Sequence, residues 1–365
     1  MRVTSTLFIA LLVLAAALAA LTQFLFRLPT PDPFAQASAA FPPQLPRDAG
    51  AHAAFASEWW YYTGLLEGPG GQRYGFQLVF FKAYPPEHAR LFGRLPVSWL
   101  CNPAYTAHLA VTDLQHGAFY PEERSNCPWL WTGGARTDHL AVWNGSWRVE
   151  TEGADHLLQA ETDTLALSLR LTPQKPAVFH GGQGVVEMGE GGASNYISFT
   201  ALSGSGTLTW GGQPLPVQAS AWADHQWGSW DWERFRGWDW FSLRLDSGQE
   251  LMLFQFRNAD GTPQAASWGT FVDVDGSATP LPEASFRVEP LGSWQSPHTG
   301  ASYPAGWRIV TTLPPGEVWV EPLVADQEMV ARLGPSYWEG IVGVRGELGA
   351  APVEGVAYVE LTGYR

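Results

Sequence analysis

Short runs of alternating apolar and polar residues, separated by clusters of Gly, Pro, Asn and Asp, fill the chain from Ala51 onward. Leu165-Ala-Leu-Ser-Leu-Arg-Leu171 alternates with period two, the pattern of a strand with one buried face. Tyr74-Gly-Phe-Gln-Leu-Val-Phe-Phe81 reads as a second strand. Thr207 to Trp210, Trp238 to Leu245, Leu251 to Arg257, Trp307 to Thr312 and Gly355 to Leu361 read the same way. Almost nothing keeps the 3.6-residue spacing of an amphipathic helix. Turn signals recur about every ten residues, which predicts an all-β sandwich or barrel.

Two hairpins resemble each other. Trp59-Trp-Tyr-Tyr-Thr-Gly-Leu-Leu-Glu67 precedes a Gly-rich turn and the strand from Tyr74. Trp238-Asp-Trp-Phe-Ser-Leu-Arg-Leu-Asp246 precedes Ser247-Gly248 and the strand from Leu251. Aligned, Trp59 falls on Trp238, Tyr61 on Trp240 and Glu67 on Asp246. The repeat predicts two similar antiparallel β-domains in tandem, 48–232 and 233–365.

The N-terminus breaks the pattern. Met1-Arg2 leads an apolar run from Leu7 to Phe26, closed by Arg27. At about 20 residues it is long enough to span a bilayer once. It also carries signal-peptide features, with small residues at Ala17-Leu18-Ala19. The run continues past that point, so residues 1–28 read as an uncleaved signal anchor in preference to a cleaved signal peptide. The Pro- and Ala-rich segment 29–47 reads as a tether. The body is thus expected outside the cytoplasm, membrane-anchored in the periplasm or at the cell surface, or secreted if the signal is cleaved.

Composition narrows the partners. With 45% hydrophobic and 15% charged residues the chain is too apolar for disorder and too interrupted for a multi-span membrane protein. The formal net charge is -14, the only lysines are Lys82 and Lys175, and no basic run occurs, which argues against nucleic acid. The 19 tryptophans are roughly four times ordinary usage and suit large cores, apolar-ligand pockets or sugar platforms. Cys101 and Cys127 are the only cysteines. In an oxidising compartment they would form a disulfide; otherwise they are buried thiols.

Four clusters set ionisable groups beside large aromatics: His52 with Glu58-Trp59-Trp60-Tyr61-Tyr62, Asp224-His225-Gln226-Trp227-Gly228, Trp238-Asp239-Trp240, and Tyr337-Trp338-Glu339-Gly340. An apolar wall raises a carboxyl pKa and can make it a proton donor near neutrality. The competing reading of each is a tryptophan core with the acid at a turn. No HxH, HExxH or CxxC spacing supports a metal site, and no GxSxG, P-loop or nucleotide-binding glycine motif occurs. Neither metal nor cofactor is expected.

These residues carry a family resemblance. Pro46-Arg-Asp-Ala-Gly-Ala-His52, Glu58-Trp-Trp-Tyr-Tyr-Thr-Gly64, Tyr74-Gly-Phe-Gln-Leu78, His180-Gly-Gly182, Ala221-Trp-Ala-Asp-His-Gln-Trp-Gly228, Gly237-Trp-Asp-Trp-Phe241, Tyr337-Trp-Glu-Gly340 and the tail Gly355 to Tyr364 stand in an order similar to the AttH-like and carotenoid 1,2-hydratase (hydroxyneurosporene synthase) family. The resemblance implies two lipocalin-like β-barrels of the calycin type. It also implies water addition across a terminal C=C bond of a polyene, begun by protonation. By that analogy Asp239 is the acid, with His225 and Trp227 orienting or stabilising. Glu58, Trp59, Trp60, Tyr196, Trp238 and Trp240 would bind the ligand. The chain departs from the family at Asn195-Tyr-Ile-Ser-Phe-Thr-Ala201, where Phe199 and Ala201 replace basic residues.

Three functions compete on these grounds. One is a lipocalin-like carrier of a lipid or polyene at the membrane, a role in which an envelope transporter would be a natural partner. The second is a cofactor-independent hydro-lyase. The third is a carbohydrate-active protein with tryptophan platforms and the acids Glu58 and Asp239.

Overall fold

The computed structural model describes residues 11, 13–18, 21, 30–85, 88–91, 93–128, 132–230, 236–258, 260–332 and 334–365. Most of the proposed anchor, Leu7 to Phe26, lies outside the described residues, as does the expected domain boundary within 231–235. Among the described residues no helix is long and apolar enough to cross a membrane.

The body is two antiparallel, nearly closed barrels. The first sheet runs in the order Ala118–Asn126, Ala104–Asp113, Arg73–Ala83, Ser57–Glu67, Gln213–Gly228, Ala193–Trp210, Leu165–Pro173, Asp155–Glu161, Trp147–Glu152, Ala141–Asn144, Gly133–Ala135. Its two ends meet: Asn144 donates to the carbonyls of Tyr105 and Arg124 at 3.1 and 3.2 Å. The second sheet runs Ala278–Pro282, Trp268–Val272, Glu250–Phe256, Trp238–Leu245, Ala351–Thr362, Tyr337–Leu348, Pro315–Pro322, Trp307–Thr312, Phe286–Pro290. Its edge strands are consecutive in the chain, joined by the 3-10 turn Glu283–Ser285, so the sheet curls back on itself. Closure removes the exposed edges that an open sheet would present.

The two aromatic hairpins occupy equivalent places. Ser57–Glu67 pairs with Arg73–Ala83 and with the last strand of its barrel, Gln213–Gly228. Trp238–Leu245 pairs with Glu250–Phe256 and with the last strand of its own barrel, Ala351–Thr362. These central strands bury both faces, which is why they read as continuous aromatic runs and not as clean alternation. Trp60, Tyr62 and Leu66 enter the first barrel's core, while Tyr61 joins an apolar layer between the barrels. Likewise Phe241 and Leu243 enter the second core and Trp240 the same shared layer. Tyr61 and Trp240 meet edge to face, centroids 5.6 Å apart.

Polar bonds fix the docking of the barrels. Tyr337 Oη lies 2.9 Å from Gln77 Nε2 and 2.7 Å from His108 Nδ1, and Thr112 donates to Gln327 at 2.9 Å. Lys175 Nζ reaches Glu250 at 2.7 Å. Gly75 makes room for side chains of the second barrel, since a Cβ there would stand 2.6 Å from Tyr358 Oη and 2.8 Å from Ile341 Cγ2.

Cys101 and Cys127 are joined in a disulfide. Replacing both by serine should lower the unfolding free energy by about 3 kcal/mol in the loop-entropy picture, since the bridge spans 26 positions. Urea titration of the reduced and oxidised full chain measures it; equal midpoints would show that the bridge constrains nothing.

Candidate functional site

A cavity of about 530 Å³ opens between the barrels. Its walls follow from strand alternation. On Ser57–Glu67, Trp59 and Tyr61 point into it; on Trp238–Leu245, Trp238 and Trp240 do; Tyr196 and Phe254 complete the aromatic lining. A volume of this size holds a small organic molecule, and an aromatic wall suits an apolar one.

Three carboxyl groups in or behind this wall are raised above their ordinary range. Asp224 faces the cavity from the first barrel and is only 4% exposed. Its Oδ1 accepts from Trp222 Nε1 at 2.7 Å and from Ser198, and its Oδ2 accepts from Tyr196 at 2.9 Å. Tyr196 is itself held by Trp240 Nε1 at 3.0 Å, a bond from the second barrel. Burial pushes Asp224 up to about 7, although those three hydrogen bonds favour the charged form. Glu360 faces the cavity from the second barrel. Burial pushes it up to about 8 against a hydrogen bond from Trp238, and the Asp224 charge adds to the rise. Glu339 stands directly opposite Glu360 in the strand register, is fully buried, and has no hydrogen-bond partner on either carboxyl oxygen among the described residues. Burial and then the charge of Glu360 drive it well above the usual carboxyl range.

The residues expected from sequence divide between this cavity and its surroundings. Glu58, Trp59, Tyr196, Trp238 and Trp240 line it together. His225, Trp227, Trp60 and Asp239 are not among its lining residues. Period-two alternation is the reason, because each is one position off a residue that does face the cavity. Trp60 and His225 border a small cavity of about 60 Å³ inside the first barrel. Asp239 turns away from Trp238 and Trp240 to pair with Arg257, and Tyr364 donates to it at 3.1 Å. His225 and Trp227 instead belong to a clamp around Glu58. The Glu58 carboxylate accepts from Lys82 Nζ at 2.9 Å and His225 Nε2 and His52 Nδ1, each at 2.8 Å. The His52 ring stacks on Trp227 at 3.9 Å. Burial alone would push Glu58 up, but the Lys82 ammonium and the two histidine bonds outweigh it and hold the carboxyl well below the usual range.

His52, Glu58 and His225 bring three potential metal-binding atoms within 4.8 Å of one another. The Lys82 ammonium already occupies one Glu58 oxygen and both rings share the other, so a cation would have to displace three donors and face a positive charge. The group is built as an ion-pair clamp. Sequence reading names Asp224 among the ionisable groups of its aromatic cluster, and with His225 as at most half a metal site, but gives it no catalytic role, and it does not select Glu360. Glu360 lies in an ordinary apolar-polar strand, and its proximity to Asp224 comes from the docking of the barrels.

A family model described as AttH-like matches residues 36–364. Among curated proteins no match to the chain is found. The solved structure of an AttH protein from Nitrosomonas europaea is 31% identical, covers 91% of this chain and 100% of that one, and superposes with a TM-score of 0.80. Kievitone hydratase from Nectria haematococca shares the fold at 17% identity and a TM-score of 0.69, covering 90% of this chain and 95% of that one. CghA does so at 14% identity and a TM-score of 0.58, covering 92% and 96%. The extent of the family match and the 31% relative agree with the two-barrel architecture: the chain belongs to the AttH-like family.

Proposed function

We propose that this protein is an exported, lipocalin-like hydratase that takes an apolar unsaturated small molecule into the inter-barrel cavity. The observation that carries this reading is the pair of carboxyls with pKa values of about 7 and about 8 on opposite walls of one aromatic cavity. At neutral pH one of them is mostly protonated and the other can be ionised. Glu360 donates its proton to one carbon of a C=C bond; the π pair forms the new C–H bond and leaves a cation on the other carbon. The faces of Trp59, Trp238 and Trp240 stabilise that charge. Water attacks the cation, a C–O bond forms, and the Asp224 carboxylate takes the released proton. The net reaction is alkene plus water to alcohol, and one proton returned from Asp224 to Glu360 resets the pair. The acid role passes from Asp239 to Glu360 in this reading because Asp239 is engaged by Arg257 behind the wall.

A hydratase is among the proteins that share the fold, which lends support at the level of architecture. A sugar-cleaving pair of Glu58 and Asp239 is disfavoured, because both carboxylates are held in buried ion pairs with Lys82 and Arg257. Export is supported by the disulfide and by the apolar run from Leu7 to Phe26.

The test is cofactor-free incubation with polyene and isoprenoid olefins in ¹⁸O water, read by mass spectrometry. The expected product is an alcohol carrying the label. Glu360→Gln should slow its formation by about 10²–10⁴-fold, the usual worth of a positioned acid, with olefin affinity retained. Tight olefin binding with no label uptake by the native protein would leave a carrier and reject the hydratase.

A further inference from the structure

The inter-barrel cavity opens at one end of both barrels. In the first barrel Ser57 pairs with Ala83 and Gly228, Ala83 with Ala104, and Tyr105 with Asn126, so these strand ends stand level. In the second, Tyr337 pairs with Thr362, whose hydroxyl accepts from the Trp238 N–H at 2.9 Å. The exposed residues among those lining the cavity are Ala83, Arg236, Gly334, Pro335, Gly363 and Arg365, and all belong to this rim.

The N-terminal chain arrives at the same rim. Asn102, two residues before Ala104, donates to Thr30 Oγ1 at 2.8 Å. Phe34 packs on Tyr84, the residue after Ala83, with centroids 5.2 Å apart. The Ala35 N–H donates to the Ala54 carbonyl at 2.9 Å. The apolar run ends at Phe26, four residues before Thr30, and four residues reach about 14 Å when fully extended. A membrane entered by that run therefore lies close to the rim. The far end of Ser57–Glu67 is ten residues along the strand, roughly 33 Å away.

The rim has the chemistry of a lipid-facing surface. The loop between Ala83 and Ala104 holds the hairpin of Arg90–Leu91 with Leu95–Pro96 and the helical turn Val97–Leu100. Its sequence sets Leu91, Leu95, Val97, Trp99 and Leu100 beside Arg90 and Arg94. The Cys101–Cys127 disulfide fastens it to the strand that ends at Asn126. Val330, beyond the pair of Met329 with Tyr337, is 46% exposed. Tryptophan and leucine mixed with arginine is the composition of membrane-interface segments. Arg94, Arg236 and Arg332 are exposed and in no ion pair among the described residues. Exposed arginines elsewhere are paired, as Arg73 is with Glu67, Arg170 with Glu152 and Arg345 with Glu321. Asp32, Glu187, Asp260 and Glu123, which accepts from the Arg332 backbone, stand at the same end. The end is thus not basic as a whole, and the arginines act as separate phosphate ligands beside an apolar contact.

We propose that this rim docks on a phospholipid surface, with Arg94, Arg236 and Arg332 on headgroup phosphates and the cavity opening into the headgroup layer. An apolar ligand then passes between bilayer and cavity without crossing water. The docking rests on reading the cavity as an apolar-ligand site and Leu7 to Phe26 as a membrane segment, and not on the hydration chemistry.

The full chain, its disulfide intact, is reconstituted in phosphatidylcholine–phosphatidylglycerol vesicles that carry a headgroup nitroxide. A fluorophore is placed at the rim through Ala83→Cys or Pro335→Cys, and at the far end through Pro69→Cys or Ser247→Cys, all four positions being exposed. Flotation on a density gradient reads attachment, and nitroxide quenching reads distance from the headgroups. The expected result is that all four proteins float, that the rim labels lose most of their emission, and that the far-end labels keep theirs. Arg94→Glu, Arg236→Glu and Arg332→Glu together should restore the rim emission while flotation stays complete. Equal quenching at both ends, or unquenched rim labels on a floating chain, would overturn the docking. A native chain that fails to float would overturn it as well, by removing the membrane segment. Neither readout uses turnover, so a protein that docks and hydrates nothing rejects the hydratase alone.

Discussion

Glu58→Ala should cost the fold about 3–5 kcal/mol, the range seen when one member of a buried ion pair is removed. Glu58 is 0% exposed and Lys82 is 2% exposed. Without the carboxylate the Lys82 ammonium keeps the carbonyl of His52, at 2.6 Å, as an acceptor, but its charge is left uncompensated in a low-dielectric site. His225, the His52 ring and the His52 backbone N–H lose their acceptor in the same step. Because the clamp ties the segment before the first strand to both Ser57–Glu67 and Gln213–Gly228, the loss should loosen one end of the first barrel and the cavity mouth together. Urea unfolding gives the number. The double change Glu58→Leu, Lys82→Met removes both charges and should be milder than Glu58→Ala alone. A single variant within about 0.5 kcal/mol of the native protein, the ordinary effect of a surface change, would mean that the clamp does not stabilise the fold.

Whatever depends on neighbours along the chain is legible in the sequence. Leu165 to Leu171 alternates cleanly because Leu165–Pro173 buries alternate leucines in the first core and presents Ala166, Ser168 and Arg170 on the other side. The repeat of Trp59 with Trp238 and Tyr61 with Trp240 is legible because both hairpins meet the same demand, a strand buried on two faces, and these four residues do share one cavity. The facing of Asp239 is hidden by that same demand. A strand with two apolar faces carries no polar side to mark which positions point where, so Trp238-Asp239-Trp240 reads as one constellation although its middle member points the other way. Asp224 stands beside His225 and Trp227 in the sequence, and adjacency in a strand separates side chains to opposite faces. Glu339 is legible as an acid among aromatics, but neither it nor Glu360 can be placed beside Asp224 from sequence, since their place depends on the pairing of the last two strands and on the docking of one barrel against the other.

Asp224→Asn should reverse its effect on stability with pH, changing the difference from the native protein by about 4 kcal/mol between pH 4 and pH 8. The sign follows from which state holds the proton more tightly. Asp224 binds its proton more tightly folded than unfolded, because burial raises it from the ordinary carboxyl value of 3.8 to about 7. Its contribution to stability is therefore fully present below the unfolded value and is lost as pH rises through the folded one. The size follows from the gap between 3.8 and about 7, at about 1.36 kcal/mol for each pH unit. At pH 4 the native side chain is a neutral acid that both accepts and donates, and the amide should be the weaker substitute. At pH 8 the native carboxylate is charged and buried, and the amide should lose much less or gain. The native protein alone would obscure this, because His108, His156 and His180, lowered by burial to about 4, about 4 and about 3, act in the opposite direction over the acidic part of the range. Those histidines are common to both proteins and cancel in the difference. Urea midpoints of the pair across that range measure it. A constant difference would mean that Asp224 titrates alike folded and unfolded, and the proton exchange assigned to the cavity would lose its base.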